Sequence, residues 1–142
     1  MFLGSFTHTL DDKGRLTIPA KYRPELAAGV VVTCGLDHNL VIYPADEWLR
    51  LAERMRELPY TDKVARDFRR LMLGMAMDAV PDKQGRVLIS NELRLYAGID
   101  ADVIVSGQDR YIEVWKPAAW QSVRETVEQA TDQADYWRTL GI

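Results

Sequence analysis

Short runs of apolar and β-branched residues, cut by charged turns, organise this chain. Phe6, Thr7, Thr9 and Leu10 lead into the charged stretch Asp11-Asp12-Lys13-Gly14-Arg15, and Leu16, Thr17 and Ile18 lead out of it. Two β-favouring arms around a glycine-containing turn predict a hairpin over 5–10 and 15–18. The segment 19–26 reads as a turn or single helical turn limited by Pro24. The apolar run Val30 to Cys34 predicts a buried strand, with Leu40 to Tyr43 as its partner across a turn at 35–39. From Pro44 the pattern changes. Trp48, Leu49, Leu51, Ala52 and Met55 form one apolar side and Arg50, Glu53, Arg54 and Arg56 the other. This predicts an amphipathic helix with acidic residues in its first turn, broken at Pro59. A second helix is expected from about Thr61, as N-cap, to Leu73, with Val64, Phe68, Leu71 and Met72 on one side.

The same pattern is then written again. Asp11, Gly14, Arg15, Ile18 and Arg23 recur as Asp82, Gly85, Arg86, Ile89 and Arg94, all 71 positions later. Gly35, Asp37, Leu40, Ile42, Tyr43 and Trp48 recur as Gly107, Asp109, Ile112, Val114, Trp115 and Trp120, 72 positions later. A repeat at this period means two copies of one supersecondary unit. The organisation predicted is a first repeat over 5–47, a helical connector over 48–75, a second repeat over 76–119 and a C-terminal helix over 120–142. That terminal helix is expected to begin near Pro117 and to run to Arg138.

Outside the apolar pattern, the copies share a turn with a fixed arginine. Glycine at positions 14 and 85 supplies the positive φ that such turns need. Aspartate at 11 and 82 can accept backbone N–H groups two residues on, which fixes the turn locally. Arg15 and Arg86 then leave from the start of a strand, beside a carboxylate able to orient the planar guanidinium. A single turn of this kind is an ordinary solvated ion pair. Two in equivalent positions point to shared work.

The 142 residues carry a net charge of −3, which counts against a protein whose whole surface embraces nucleic acid. The charge is segregated, however. Lys13, Arg15, Lys21 and Arg23 occur without an intervening carboxylate, and Lys83, Arg86 and Arg94 are set against Glu92 alone, while Glu125, Glu128, Asp132 and Asp135 lie near the end. Nothing resembles a catalytic or metal centre. His8 and His38 have no ligand neighbours at metal spacing, and there is no P-loop, no G-x-G-x-x-G and no G-x-S-x-G. Trp48 and Trp120 read as core anchors, and the single Cys34 as a buried small hydrophobe that fits a reducing cytoplasm. Neither a signal peptide nor an apolar run of membrane-spanning length is expected.

The tandem D-x-x-G-R turns, each followed by an apolar strand and a short helix, resemble the AbrB-type swapped-hairpin module. The chain as a whole is similar to the MraZ family. The similarity is carried by Met1-Phe2-x-Gly4, Leu10 to Leu16, Pro19 and Tyr22-Arg23 in the first half. Asp82-x-x-Gly85-Arg86-Val87-x-Ile89, Leu93-Arg94 and Gly107 to Trp115 carry it in the second. Ser90 departs from the proline common in such hairpins, and His38 stands where the second copy has Arg110.

The resemblance implies an α+β fold in which two AbrB-like β-hairpin units form a pseudo-twofold, β-barrel-like core with flanking helices. It implies a transcriptional regulator, read here as a repressor, at the promoter of the bacterial division and cell-wall gene cluster that includes its own gene. No enzyme activity and no cofactor are implied. The expected partners are double-stranded promoter DNA with short repeats and further copies of the chain in a ring, in a cytoplasmic, nucleoid-associated setting. By carry-over Asp11 and Arg15 match the first DNA-binding motif and Asp82 and Arg86 the second. The basic turns add Lys13, Gly14, Lys21, Arg23, Lys83, Gly85 and Arg94 to the expected DNA-binding set. Two other readings are an antitoxin-like protein-interaction module and a small enzyme using Asp11 and Asp82 as an acid–base pair. In the latter, each carboxylate beside its own arginine would favour ionisation over a general-acid role.

Overall fold

A computed structural model describes residues 1–133 and 135–142. The fold is α+β, with antiparallel strands and, among the described residues, five α-helices. The strands are β1 (Ser5–Thr9), β2 (Arg15–Thr17), β3 (Val30–Cys34), β4 (Leu40–Pro44), β5 (Met77–Ala79), β6 (Arg86–Leu88), β7 (Asp102–Gly107) and β8 (Ile112–Trp115). The helices are α1 (Arg23–Leu26), α2 (Ala45–Arg56), α3 (Lys63–Gly74), α4 (Asn91–Ala97) and α5 (Pro117–Thr131).

The expected hairpin of the first repeat differs in how its arms pair. β1 and β2 meet at the bridge between Leu10 and Leu16 and then part. β1 pairs with β7, and β2 pairs with β6. The six-stranded sheet has the order β1-β7-β8-β4-β3-β5, and β2-β6 forms a separate two-stranded ribbon. Exchanging each strand for its counterpart in the other copy reverses this order and leaves every pairing in place. The reason lies in burial. Leu10, Leu16 and Ile18 of one copy and Val87 and Ile89 of the other are all buried in one cluster with Tyr22, Leu26 and Leu93. A hairpin closed on itself would leave those apolar faces in water, whereas pairing across the copies buries them together.

β3 matches its predicted span, β4 runs one residue beyond Tyr43 to Pro44, and every residue of β3 is buried. Thr33 is satisfied there by donating its hydroxyl to the carbonyl of Met72 at 2.7 Å, which ties the end of α3 to the sheet. α2 and α3 share a smaller apolar cluster of Ala52, Met55 and Met72, with Tyr43, Trp48, Leu51 and Phe68 around it. Trp48 and Trp120 are half-buried rather than enclosed; they lean on Tyr43 and Trp115 at ring distances of 5.8 and 5.9 Å. The N-cap of α3 is Asp62, not Thr61, because the carboxylate accepts the Val64 N–H at 2.9 Å. The terminal helix ends at Thr131, short of Arg138, which instead opens a 3-10 turn through Leu140; position 134 of the expected span lies outside the described residues.

Ser90, the departure from proline, has a structural use. Its hydroxyl accepts the Leu93 N–H at 3.2 Å and caps α4, which runs seven residues to a left-handed Gly98. Pro19 offers no such side-chain cap, and Pro24 lies inside the counterpart segment. Ser90→Ala is therefore expected to cost about 1 kcal/mol, read as a lower urea midpoint at unchanged slope.

Candidate nucleic-acid interface

The two turns are built alike, bond for bond. In the first, the Asp11 carboxylate accepts the Lys13 N–H at 3.0 Å and the Arg15 N–H at 2.9 Å through Oδ1. Its Oδ2 accepts the Arg15 Nε–H at 2.7 Å. In the second, Asp82 Oδ1 accepts the Gln84 and Arg86 N–H groups, both at 2.9 Å, and Oδ2 accepts the Arg86 Nε–H at 2.7 Å. The Asp11 and Asp82 N–H groups close the turns onto the carbonyls of Arg15 and Arg86. One carboxylate thus fixes both the turn and the arginine at its foot. Among the described residues, Nη1 and Nη2 of Arg15 and Arg86 make no hydrogen bond, so the outer edge of each guanidinium is available to an outside acceptor.

These bonds also set the ionisation of the aspartates. The Arg15 backbone N–H above all, helped by the Arg15 side chain and the Lys13 N–H, holds Asp11 below the ordinary value of 3.8 against the opposing effect of desolvation. Asp82 is lowered in the same way, led by the Arg86 N–H. A carboxylate depressed in the folded chain lends stability that is complete above the unfolded value and is lost as pH falls through the lower, folded one. The turns are therefore expected to hold at pH 5 and to loosen below about pH 4. Thermal melts against pH check this, since Asp11→Asn with Asp82→Asn should flatten that part of the curve. The same depression favours the ionised carboxylates and works against a general-acid role for either.

The register of the ribbon decides where the arginines point. Arg15 lies opposite Leu88, Leu16 opposite Val87, and Thr17 opposite Arg86. Leu16 and Val87 are 0% and 1% exposed, so that side faces the core. Side chains alternate along a strand, which places Arg15, Thr17, Arg86 and Leu88 together on the outer face. The arginines are diagonal neighbours on that face, a relation that sets residues roughly 7–8 Å apart. Thr17 and Leu88 were absent from the sequence-predicted set, and Leu88 is 48% exposed. The period-two alternation from buried Leu16 and Val87 is the signal that reveals them.

The turns are also locked to one another. The Ile18 N–H donates to the Gly85 carbonyl at 2.8 Å, and the Ile89 N–H donates to the Gly14 carbonyl at 2.9 Å. Gly14 and Gly85 have φ of +79° and +74°, as the turn requires. Lys13 and Lys83 stand exposed at the tips. Lys21 lies off the ribbon, with Nζ 3.3 Å from the Leu3 carbonyl and 5.9 Å from the centre of the Phe6 ring. Arg23, exposed, and Arg94, half-buried, each lie against the turn glycine of the other copy. Among the described residues, no group of three His, Cys, Asp or Glu side chains is placed to hold a metal ion, and no helix is long and apolar enough to cross a membrane.

This doubled construction has a counterpart among known proteins. The family model described as "MraZ protein, putative antitoxin-like" matches twice, over residues 1–71 and 72–140. The chain belongs to the MraZ family. Similar relatives carry the name transcriptional regulator MraZ. One from Herpetosiphon aurantiacus is 46% identical over 143 residues, covering 100% of both chains. One from Salinispora arenicola is 48% identical over 135 residues, covering 95% of this chain and 94% of its own. A third, from Frankia alni, is 45% identical over 130 residues, covering 92% of this chain and 91% of its own.

Proposed function

We propose that this protein is a transcriptional regulator that binds double-stranded DNA in a sequence-specific manner through the β2–β6 ribbon. The observation that carries the reading is the outward pair of arginines, each held at Nε by its own aspartate with its outer nitrogens unengaged. An antiparallel two-stranded ribbon fits the B-DNA major groove, where arginine reads guanine with two parallel hydrogen bonds. A spacing of roughly 7–8 Å between the arginines matches about two base-pair steps. Lys13 and Lys83 at the turn tips suit the flanking phosphates. Family membership and the printed names of the relatives support a role in transcription. The finer role follows the family resemblance: repression at the promoter of the division and cell-wall cluster that includes the protein's own gene, with a nucleoid-associated location. The pairing of each strand with the other copy supports a pseudo-twofold, barrel-like unit made from repeats 5–47 and 76–119, with 48–75 as connector and 120–142 as the terminal helix.

Binding to DNA from upstream of the protein's own gene, titrated against salt and competitor DNA, is the direct test. Affinity should exceed that for competitor and fall steeply with salt, since each neutralised phosphate lowers the log–log slope by about 0.9. Equal affinity for both DNAs overturns the reading.

Assembly follows from charge and exposure together. The chain is net −3, and α2 and α3 with the loop between them leave Leu49, Tyr60, Val64 and Leu73 at 58%, 77%, 76% and 43% exposure. Helical faces of this kind suit head-to-tail contact between copies, which closes into a ring when the rotation permits. A ring holding several weak ribbons gains affinity through effective concentration. Light scattering at micromolar protein is expected to show a homo-oligomer, and tight DNA binding is expected to need at least two repeats. A monomer that binds one repeat tightly contradicts this arrangement.

A further inference from the structure

Arg23 and Arg94 carry the same charge as the ribbon arginines but sit elsewhere. We infer that they are positioning residues acting across the repeats, each shaping the arginine turn of the other copy; the inference rests on the DNA-reading role proposed for those turns. A Cβ placed on Gly85 would collide with Nε of Arg23 and lie 2.8 Å from its Cδ. A Cβ placed on Gly14 would lie 2.9 Å from Cζ of Arg94 and 3.1 Å from its Nη2. In both cases the guanidinium occupies the space that the missing side chain leaves open. The glycines thus serve two needs, the left-handed backbone and the seat of an arginine from the other repeat.

The contact on the Gly85 side is closed by hydrogen bonds. Arg23 Nε–H donates to the Ile18 carbonyl at 2.9 Å, and the Ile18 N–H donates to the Gly85 carbonyl at 2.8 Å. Arg23 therefore holds both the strand residue that grips the opposite turn and the turn itself. On the Gly14 side the Ile89 N–H makes the equivalent grip at 2.9 Å, but Nε of Arg94 is buried and makes no hydrogen bond among the described residues. A buried, unpaired donor is costly, so Arg94 holds its turn through the flat face of its guanidinium alone. The two turns are consequently unequal. The one bearing Arg86 is backed by a tethered arginine, and the one bearing Arg15 by an untethered one. Lysine cannot replace either, since its point charge on a flexible stem lacks the plane that fits against a glycine.

The experiment compares Arg23→Met, Arg23→Lys, Arg94→Met and Arg94→Lys in the full chain by hydrogen–deuterium exchange and by binding to the upstream DNA across a salt series. Both Arg23 variants should speed exchange over residues 82–86 and spare 11–15, and both Arg94 variants should do the reverse. DNA affinity should fall about tenfold for the lysine and methionine variants alike, as when the geometry of one bidentate pair is lost, with the salt slope unchanged. Restored affinity in the lysine variants, or a slope reduced by about 1 per site, would identify phosphate contacts and overturn the inference. Exchange that rises uniformly along the chain, or only within the variant's own turn, would overturn it as well. The exchange pattern is read without DNA, so it stands or falls separately from the DNA-reading role.

Discussion

Alanine at both Arg15 and Arg86 is expected to abolish specific DNA binding while the fold survives. Each arginine projects from the outer face of the ribbon, and the buried residues beneath them, Leu16 and Val87, are untouched by the change. A bidentate contact to a base contributes about 1–3 kcal/mol, or roughly 5- to 150-fold in affinity. In the proposed ring, two such losses in every engaged subunit would multiply. Removing the guanidinium also bares the Asp11 and Asp82 carboxylates, now a negative charge facing phosphate. Fluorescence anisotropy with promoter DNA should show affinity reduced to that for competitor, and the melting temperature should stay near the parent value. Wild-type affinity in the folded double variant would remove the ribbon from DNA recognition.

Alanine at Gly14 or Gly85 should act on stability and on the site together. Both backbones lie in the left-handed region, where a side chain is strained, at a cost of about 1–3 kcal/mol. At Gly85 the added methyl would also meet Arg23, and at Gly14 it would meet Arg94. Part of the cost at Gly85 comes from displacing Arg23. Adding Arg23→Ala to Gly85→Ala should therefore cost less than the two single changes summed, a non-additivity that urea denaturation can measure. Strict additivity would mean that the contact between Arg23 and Gly85 carries no energy.

The local pattern of the chain disclosed its elements better than their partners. β3, β4 and the extent of α2 follow from apolar runs and from the change of period at Pro44, and the structure has them at those positions. The hairpin over 5–18 was legible as two arms and a turn, yet its arms separate beyond the Leu10–Leu16 bridge. Alternation tells a strand which face is buried, but it does not name the strand that covers it. The aspartate-to-arginine bonds were legible because they close within four residues. The seats of Arg23 and Arg94 were not, because the glycine each one meets lies in the other repeat. From the sequence both arginines simply joined a basic cluster. At the C-terminus, the span to Arg138 overshot because no proline or capping residue marks the stop after Thr131.

The pairing of β1 with β7 has a consequence for how the chain is made. Ser5 and Ser106, hydrogen-bonded through their hydroxyls, are 101 positions apart. The ribbon likewise joins the first copy to the second. Contacts this distant slow folding, because the loop between them must close before any reward is gained. On a ribosome adding about 5–20 residues per second, the first repeat waits on the order of ten seconds for the strands that complete it. During that interval β1 and β2 present open backbone edges. The nearest matching edges belong to the same nascent segment on a neighbouring ribosome of the same message. Carrying both copies in one chain thus shortens the search for a partner by tethering it, yet leaves a window in which two unfinished chains can close on each other.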